Sequence, residues 1–326
     1  MRAQLVNAII RPPRAEYEIE QLGPSSFIFC KKRFQRHDLV LVNRRGFAMQ
    51  CSHWEPVERP AEALPCVVFV HGNSSARLEG INQLSLCIAF GATLFSFDCA
   101  GSGKSEGKYV SLGYYEKDDL RVVVDHLRGS GTVSTIAVWG RSMGAVTGIL
   151  YQEQDLSLVG DHTVDAMILD SPFSDFCQLA EELVDKGKEH GVHVPRMVTR
   201  MAIQMLKGSV EKVAGFSIRD LNPIDYVDRC MLPTLFMCAR HDDFVGMHHT
   251  KLIYEKYAGP KEIIMVDGDH NSLRNEQALT AAGVFLQRQL KIPPSWAIPY
   301  SAQYFGLLPW RCGPSKKKSR CARPHI

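Results

Sequence analysis

Short apolar runs that alternate with amphipathic stretches constrain the fold of this chain more than any other feature. Each run is five to seven residues long and rich in Val, Ile, Leu or Phe: 64–70, 92–97, 135–140, 166–170, 233–238 and 261–266. Helical patterns lie between several of these runs, for example at 114–129 and 276–290. Alternating strands and helices are typical of a mainly parallel central sheet that helices cover on both faces. The sequence therefore predicts an α/β fold.

Two regions depart from this alternation. Residues 38–54 alternate apolar and polar side chains around a turn at 43–46, which predicts an N-terminal β-hairpin. About 60 residues between 166–170 and 233–238 contain helical patterns but no strand-like run. They predict a helical cap or insertion over the sheet edge, with ordinary crossover helices as the alternative. The expected organisation has four parts: an N-terminal extension at 1–35, a domain at 36–292, its cap at 174–225 and a tail at 293–326.

Composition excludes several classes of protein. A net charge of +3 over 326 residues does not indicate nucleic-acid binding. The ten cysteines show no C-x-x-C spacing, and several lie in apolar runs, which predicts buried, reduced thiols. The sequence shows neither a signal peptide nor a long apolar run, so we expect a cytoplasmic protein. The tail is rich in proline and aromatic residues and then basic at 316–320, which predicts an extended or disordered arm, either solvated or in peripheral contact with a membrane.

The stretch "GSGKS" at 101–105 resembles a phosphate-binding loop. Such a loop requires a glycine five positions before its Gly-Lys pair, so that backbone amides can surround the phosphate oxygens. Asp98 stands at that position, and its carboxylate would repel a phosphate. A nucleotide hydrolase is therefore excluded, and these glycines need another explanation.

The stretch "WGRSMGA" at 139–145 contains the pattern G-x-S-x-G between a predicted strand and a predicted helix. A sharp turn at this position raises a serine hydroxyl above the sheet, and the helix N-terminus favours a developing negative charge nearby. Ser142 is therefore the candidate nucleophile. Its partners should follow in the order acid and then histidine, at the carboxyl ends of later strands. Asp242 or Asp243 and then His270 satisfy that order.

An acyl-transfer site also needs donors for the oxyanion. The turn "HGN" follows the first buried strand, so the backbone amide of Asn73 is one candidate and that of Met143, after the serine, is the other. His71 is expected to pack and form hydrogen bonds at the turn. Arg141 is expected either to contact substrate or to form a structural salt bridge.

Other polar groups suggest structural roles. Asp170 and Ser171 end a predicted strand, and we interpret one of them as a helix N-cap. A cluster of acids and histidines at 241–249, with His248 and His249 adjacent, resembles a metal site. We expect neighbouring histidine rings to aim in different directions, and no H-E-x-x-H helix is present. The prediction is a protein with no metal and no cofactor.

The set "HGN", "FDCAGSGKSEG", "GRSMGA", "HDDFV" and "GDHN" resembles the motifs of the α/β-hydrolase superfamily over residues 38–292. Within it, the chain is similar to serine-aminopeptidase-like and abhydrolase-domain serine hydrolases, and its first residues resemble those of a plant and protist subgroup. The resemblance implies an α/β-hydrolase fold. It also implies that the glycines of 98–107 shape a loop beside the mouth of the active site.

The resemblance assigns roles by position. Ser142 would be the nucleophile and His270 the base, and alignment on the Phe-Val pair that follows makes Asp242 the acid, although Ala239 replaces a usual glycine. The expected activity is hydrolysis of an ester or thioester with an apolar acyl chain, the substrate being a small molecule, a lipid or an S-acylated protein. A non-catalytic binding protein and a serine peptidase are the alternatives. One set of residues is expected to line an apolar lid or to lie in the core: Met197, Met201, Met205, Leu206 and Phe216.

Overall fold

The computed structural model describes residues 2–155, 164–187 and 196–312. A nine-stranded sheet forms its centre, in the order β1-β2-β3-β5-β4-β6-β7-β8-β9. The strands are β1 Ser26–Phe29, β2 Lys32–Val42, β3 Ala48–Pro56, β4 Leu64–Val70, β5 Thr93–Phe97, β6 Val133–Arg141, β7 Ala166–Asp170, β8 Thr234–Ala239 and β9 Lys261–Val266. The helices are α1 Arg2–Ile10, α2 Ile81–Phe90, α3 Glu116–Gly129, α4 Met143–Asp155, α5 Phe176–Gly187, α6 Arg196–Ala214, α7 Met247–Lys256 and α8 Glu276–Gln289.

The six apolar runs form the parallel part of the sheet, as the sequence predicts. Strands β5, β4, β6, β7, β8 and β9 pair in parallel. Every residue of β4, β5, β7 and β8 is buried, because helices cover both faces of these strands. The predicted hairpin is also confirmed: β2 and β3 pair antiparallel, and β3 continues the sheet antiparallel to β5.

Two apolar layers lie on opposite faces of the sheet. One layer contains side chains of α2 and α8, such as Leu84 and Phe285. The other contains side chains of α3, α4 and α7, such as Val123, Ile149 and Ile253. Because parallel strands share one direction, all their carboxyl ends meet along one edge of the sheet, and polar residues that follow several strands can converge there.

Helices α5 and α6 occupy the long interval between β7 and β8, and its described residues contain no strand. They pack with α1 in a third apolar cluster that includes Leu179, Val210 and Ile10. Phe216 lies in this cluster, but the methionines expected in a lid or core do not. Met197, Met201 and Met205 are 73%, 57% and 57% exposed. The core alternative was therefore wrong for all three, because they lie on the face of α6 that points away from the cluster.

The segment after α8 also differs from expectation. Residues 294–311 form three short 3-10 helices rather than an extended arm. Their side chains join the core near the amino-terminal strands: Trp310 lies edge-on to Phe27, and Tyr304 edge-on to Phe29. The basic run at 316–320 lies outside the described residues. In the described part of the chain, no helix combines the length and hydropathy that crossing a bilayer requires. The nine described cysteines are free, and most are buried.

Candidate active site

The turn between β6 and α4 holds Ser142 in a strained conformation. Its φ angle is 51°, in the left-handed region that non-glycine residues rarely adopt. The flanking glycines allow this turn because their neighbours leave no room for a side chain. A Cβ on Gly140 would lie 2.2 Å from the carbonyl oxygen of Gly144, and one on Gly144 would lie 2.0 Å from that of Val70. The tight packing fixes the direction in which the serine hydroxyl points.

The structure brings Ser142, His270 and Asp242 together from three strand ends. His270 Nε2 is 2.9 Å from Ser142 Oγ, and His270 Nδ1 is 2.7 Å from Asp242 Oδ2. The second carboxylate oxygen, Oδ1, accepts the backbone N–H groups of Phe244 and Val245 at 3.0 and 2.7 Å. Asp243, the alternative acid, is exposed to solvent. The geometry therefore favours Asp242 as the partner of His270.

Both candidate oxyanion donors lie beside this serine. Asn73 lines the cavity above Ser142, and Met143 is the first residue of α4. Within the described chain, neither backbone N–H donates to another protein group. His71 is fully buried behind them, with Nδ1 2.7 Å from the carbonyl oxygen of Gly72 and Nε2 accepting the backbone N–H of Cys99 at 3.1 Å. The predicted structural role of His71 is confirmed.

An ion pair links the segments around the serine, and it confirms the salt-bridge alternative expected for Arg141, although its acidic partner, Glu79, was not predicted. Glu79 Oε1 is 2.7 Å from Arg141 Nη1, and Glu79 Oε2 accepts the backbone N–H of Gly72 at 2.9 Å. Arg141 Nη2 donates to the carbonyl oxygen of His270 at 2.7 Å. The pair therefore joins the oxyanion turn, the serine turn and the histidine loop. The sequence signal for Glu79 was its position among apolar residues in "ARLEGINQL" at 76–84. A carboxylate that is buried in the fold needs a cation as its partner.

A second acidic residue, Asp170, is the last residue of β7, the strand between β6 and β8 in the sheet. Asp170 forms two hydrogen bonds with Arg274, each 2.7 Å long, and both side chains are buried. Burial raises the pKa of the Asp170 carboxyl, but the Arg274 guanidinium outweighs this effect and holds the pKa below its ordinary value. The N-cap interpretation of Asp170 and Ser171 is wrong. Asp175 caps α5 instead, since its side chain accepts the backbone N–H of Gln178 at 2.8 Å.

The glycine-rich loop at 98–107 is organised by its first residue. Asp98 accepts hydrogen bonds from the backbone N–H groups of Arg77 and Lys104 and from the hydroxyl of Tyr17. No residue of this loop lines the cavity above Ser142. The expectation that it borders the mouth of the site was therefore wrong. The loop lies behind the residues that line the cavity, and the backbone N–H of its Cys99 donates to His71.

A cavity of about 430 Å³ opens above Ser142. Polar side chains outnumber apolar ones among its described lining residues, and Phe244 and Leu273 are the large apolar side chains, although about half of the lining surface is apolar. Glu79 and Arg141 border it as the ion pair described above. None of the residues expected in an apolar lid lines this cavity. The cavity therefore offers both polar and apolar surface, and its apolar part does not come from the residues expected in a lid.

Comparisons with known proteins agree with this architecture. A family model described as PhoPQ-activated pathogenicity-related protein matches residues 156–307, which is less than half of the chain. The uncharacterized protein YqkD of Bacillus subtilis is 28% identical over 242 residues, which cover 73% of this chain and 74% of that protein. The α/β hydrolase domain-containing protein WAV2 of Arabidopsis thaliana is 26% identical over 200 residues, covering 60% and 58%.

A solved structure shows the same fold. The esterase Pf2001 of Pyrococcus furiosus superposes with a TM-score of 0.62 and 20% identity, over 86% of this chain and 98% of that chain. The chain has the α/β-hydrolase fold, as its motifs predict, and its similarity to a protein with an α/β hydrolase domain supports that superfamily.

Proposed function

We propose that this protein is a serine hydrolase that cleaves esters through an acyl-enzyme intermediate. The observation that carries the proposal is the continuous line of hydrogen bonds from Asp242 through His270 to Ser142, with lengths of 2.7 and 2.9 Å. A serine hydroxyl is a weak nucleophile at neutral pH, and such a line supplies the base and its orienting acid. The esterase named above, which shares the fold, supports the same activity.

In the proposed mechanism, Ser142 Oγ attacks the carbonyl carbon while its proton moves to His270 Nε2. The Asp242 carboxylate accepts the His270 Nδ1–H, keeps the ring in the useful tautomer and stabilises the imidazolium. The backbone N–H groups of Asn73 and Met143 stabilise the oxyanion of the tetrahedral intermediate. His270 then protonates the leaving alcohol, and a water molecule that His270 activates hydrolyses the acyl-enzyme.

The many polar side chains among the described lining residues favour esters with a short or polar acyl group over the long apolar chain that the sequence suggested. A long chain would leave polar lining groups such as Asn82 and Asn271 without partners, which costs free energy. A thioester with such an acyl group would fit the same attack geometry. A peptidase that holds a substrate amine needs a free carboxylate, and the cavity's Glu79 is already paired with Arg141.

A fluorophosphonate probe tests the proposal directly. Labelling of the wild-type protein, together with its loss in Ser142→Ala, is the expected result. Ester hydrolysis should also disappear in Ser142→Ala, while the unfolding midpoint stays close to that of the wild type. A matched series of p-nitrophenyl acetate, butyrate and octanoate should give the highest kcat/KM for the shorter acyl groups. A wild-type protein that neither labels nor hydrolyses any ester would instead favour a non-catalytic binding protein.

A further inference from the structure

Three side chains outside the proposed reaction converge between α5 and α7. Glu182 lies on α5, and His248 and His249 lie in the first turn of α7. Nε2 of His248 is 2.9 Å from Glu182 Oε1, and Nε2 of His249 is 3.1 Å from Glu182 Oε2. From the sequence, these neighbouring histidine rings were expected to aim in different directions. Instead the two rings lie 4.3 Å from each other at 32°, and both reach one carboxylate.

Two imidazole nitrogens and a carboxylate oxygen form a donor set typical of zinc sites in proteins. One candidate ligand atom from each of the three residues lies within 4.8 Å of the others. Bonds of about 2.0–2.1 Å in a tetrahedral arrangement place neighbouring donors roughly 3.3 Å apart. The observed distances run to different oxygens of the carboxylate, 2.9 Å to Oε1 and 3.1 Å to Oε2, so only one of them becomes a spacing between two ligand atoms when a single Glu182 oxygen binds the ion, and that one is a few tenths of an ångström short. Rotations of the partly exposed Glu182 and His248 side chains can supply the difference.

We propose that Glu182, His248 and His249 bind one Zn²⁺ ion, with water as the fourth ligand. Magnesium and calcium do not fit, because they prefer oxygen ligands alone. The metal would clamp α5 to α7. It would not take part in hydrolysis, since none of these three residues lines the cavity above Ser142.

Binding requires a lone pair on each Nε2, which changes the tautomer of His249. Without metal, its Nδ1 accepts the Ser174 backbone N–H at 3.2 Å, so its hydrogen is on Nε2 and points to Glu182. With metal, the hydrogen moves to Nδ1 and donates to Ser174 Oγ, which is 2.7 Å away. The longer backbone contact is then lost. Metal-bound histidines commonly have such an outer partner, which fixes the ring and its tautomer.

The proposed clamp would also steady the segment that holds the acid of the relay. Helix α7 begins at Met247, two residues after Val245, whose backbone N–H donates to Asp242. Fixing the first turn of α7 against α5 restricts the backbone that positions this carboxylate. The main consequence of metal binding is therefore greater stability, with hydrolysis retained in its absence.

A direct test titrates the chelator-treated full-length protein with Zn²⁺ alone by isothermal calorimetry. We expect one strong site per chain, together with a rise of at least about 3 °C in the unfolding midpoint at roughly 100 times the Kd. Magnesium should give neither effect. Cobalt should bind at the same site and give the visible absorption bands of a tetrahedral nitrogen–oxygen complex.

Variants locate the site. His248→Ala and Glu182→Gln should each weaken Zn²⁺ binding at least about 10-fold, since even the loss of an outer partner of a zinc ligand has that effect. His37→Ala is the matched control: its side chain is 51% exposed beside a glutamate, and that of His248 is 49% exposed. Should the wild type bind no zinc, or should both variants and the control bind it equally well, the proposal is overturned. If His248→Ala does not fold, Glu182→Gln gives the same decision.

Discussion

Two buried carboxylates follow adjacent strands of this sheet, and they have opposite consequences. Asp170 ends β7 and pairs with Arg274, while Asp242 follows β8 and pairs with His270, and the closest contact in each pair is 2.7 Å. Arginine remains charged at any pH a protein meets, so the first pair is a permanent ion pair. Histidine exchanges a proton near neutral pH, so the second pair can take part in a reaction.

The surroundings of the two carboxylates match this division. Asp170 is buried, and Arg274 also donates to the carbonyl oxygens of Asp269 and Ser272, so the pair anchors the loop that carries His270. Asp242 is held by two backbone N–H groups, and its imidazole partner reaches the open cavity. The two pairs have similar contact distances, but the Asp170–Arg274 pair has a structural role and the Asp242–His270 pair has a proposed role in the reaction. The identity of the cationic partner makes the difference.

The largest expected effect is on activity, at the Asp242 site. Asp242→Asn keeps an oxygen that can accept the backbone N–H groups but allows the wrong tautomer of His270. We expect kcat to fall about 10⁴-fold, as for comparable substitutions in serine hydrolases, with little change in stability. Steady-state ester kinetics and chemical denaturation on the same preparation measure both quantities. A variant that retains a tenth of wild-type activity would contradict the assigned role.

At the Asp170 site we expect the reverse pattern. Asp170→Asn leaves the buried Arg274 charge without its partner, which should lower the free energy of unfolding by about 3–5 kcal/mol. The activity of the folded fraction should stay within about 10-fold of the wild type, because the relay keeps its own contacts. The double variant Asp170→Asn/Arg274→Met removes both charges and should recover part of the loss. If the single variant were as stable as the wild type, the ion pair would not be structural.

A smaller effect on activity is expected at Glu79, which acts through the segments that it joins. Glu79→Ala removes the link between Gly72 and Arg141, and it leaves the guanidinium that donates to the His270 carbonyl without its anchor. Small displacements of reacting groups slow catalysis. We expect kcat to fall about 10–100-fold with a smaller change in KM, and Glu79→Gln to restore most of it by keeping the hydrogen bonds. Equal losses in both variants, accompanied by equal losses of stability, would indicate a merely structural residue.

Sequence patterns predicted this sheet well because strands are encoded locally. The runs at 64–70 and 166–170 have the length and apolar content of buried strands, and their ends locate the polar residues that follow. Ser142 and His270 were predicted to meet in this way, and their side chains lie 2.9 Å apart. Pairing between distant side chains has no such local signal: Arg141 and Glu79 are 62 residues apart.

Burial of distant segments was missed for the same reason. Trp310 lies in a stretch whose proline and aromatic content resembles an exposed arm. Its ring instead packs over Gly23, where a Cβ would lie 2.4 Å from the indole. Asp170 likewise looked like a helix cap because its partner, Arg274, is 104 residues away. Long-range packing decides the role of such residues, and a single sequence does not specify it.

The smallest expected effect is a change in how stability depends on pH, and it also separates the two carboxylates. The pKa of Asp170 is lower in the folded protein than its ordinary value of 3.8, despite burial, because of Arg274. Its contribution to stability is therefore complete above that value and is lost as the pH falls below it. Urea unfolding at pH 6, 4 and 3 should show a drop for the wild type that is smaller in Asp170→Asn. The control Asp243→Asn alters an exposed carboxylate and should follow the wild type, since solvent screens such groups. Parallel curves for all three proteins would show that Arg274 does not stabilise the ionised form of Asp170.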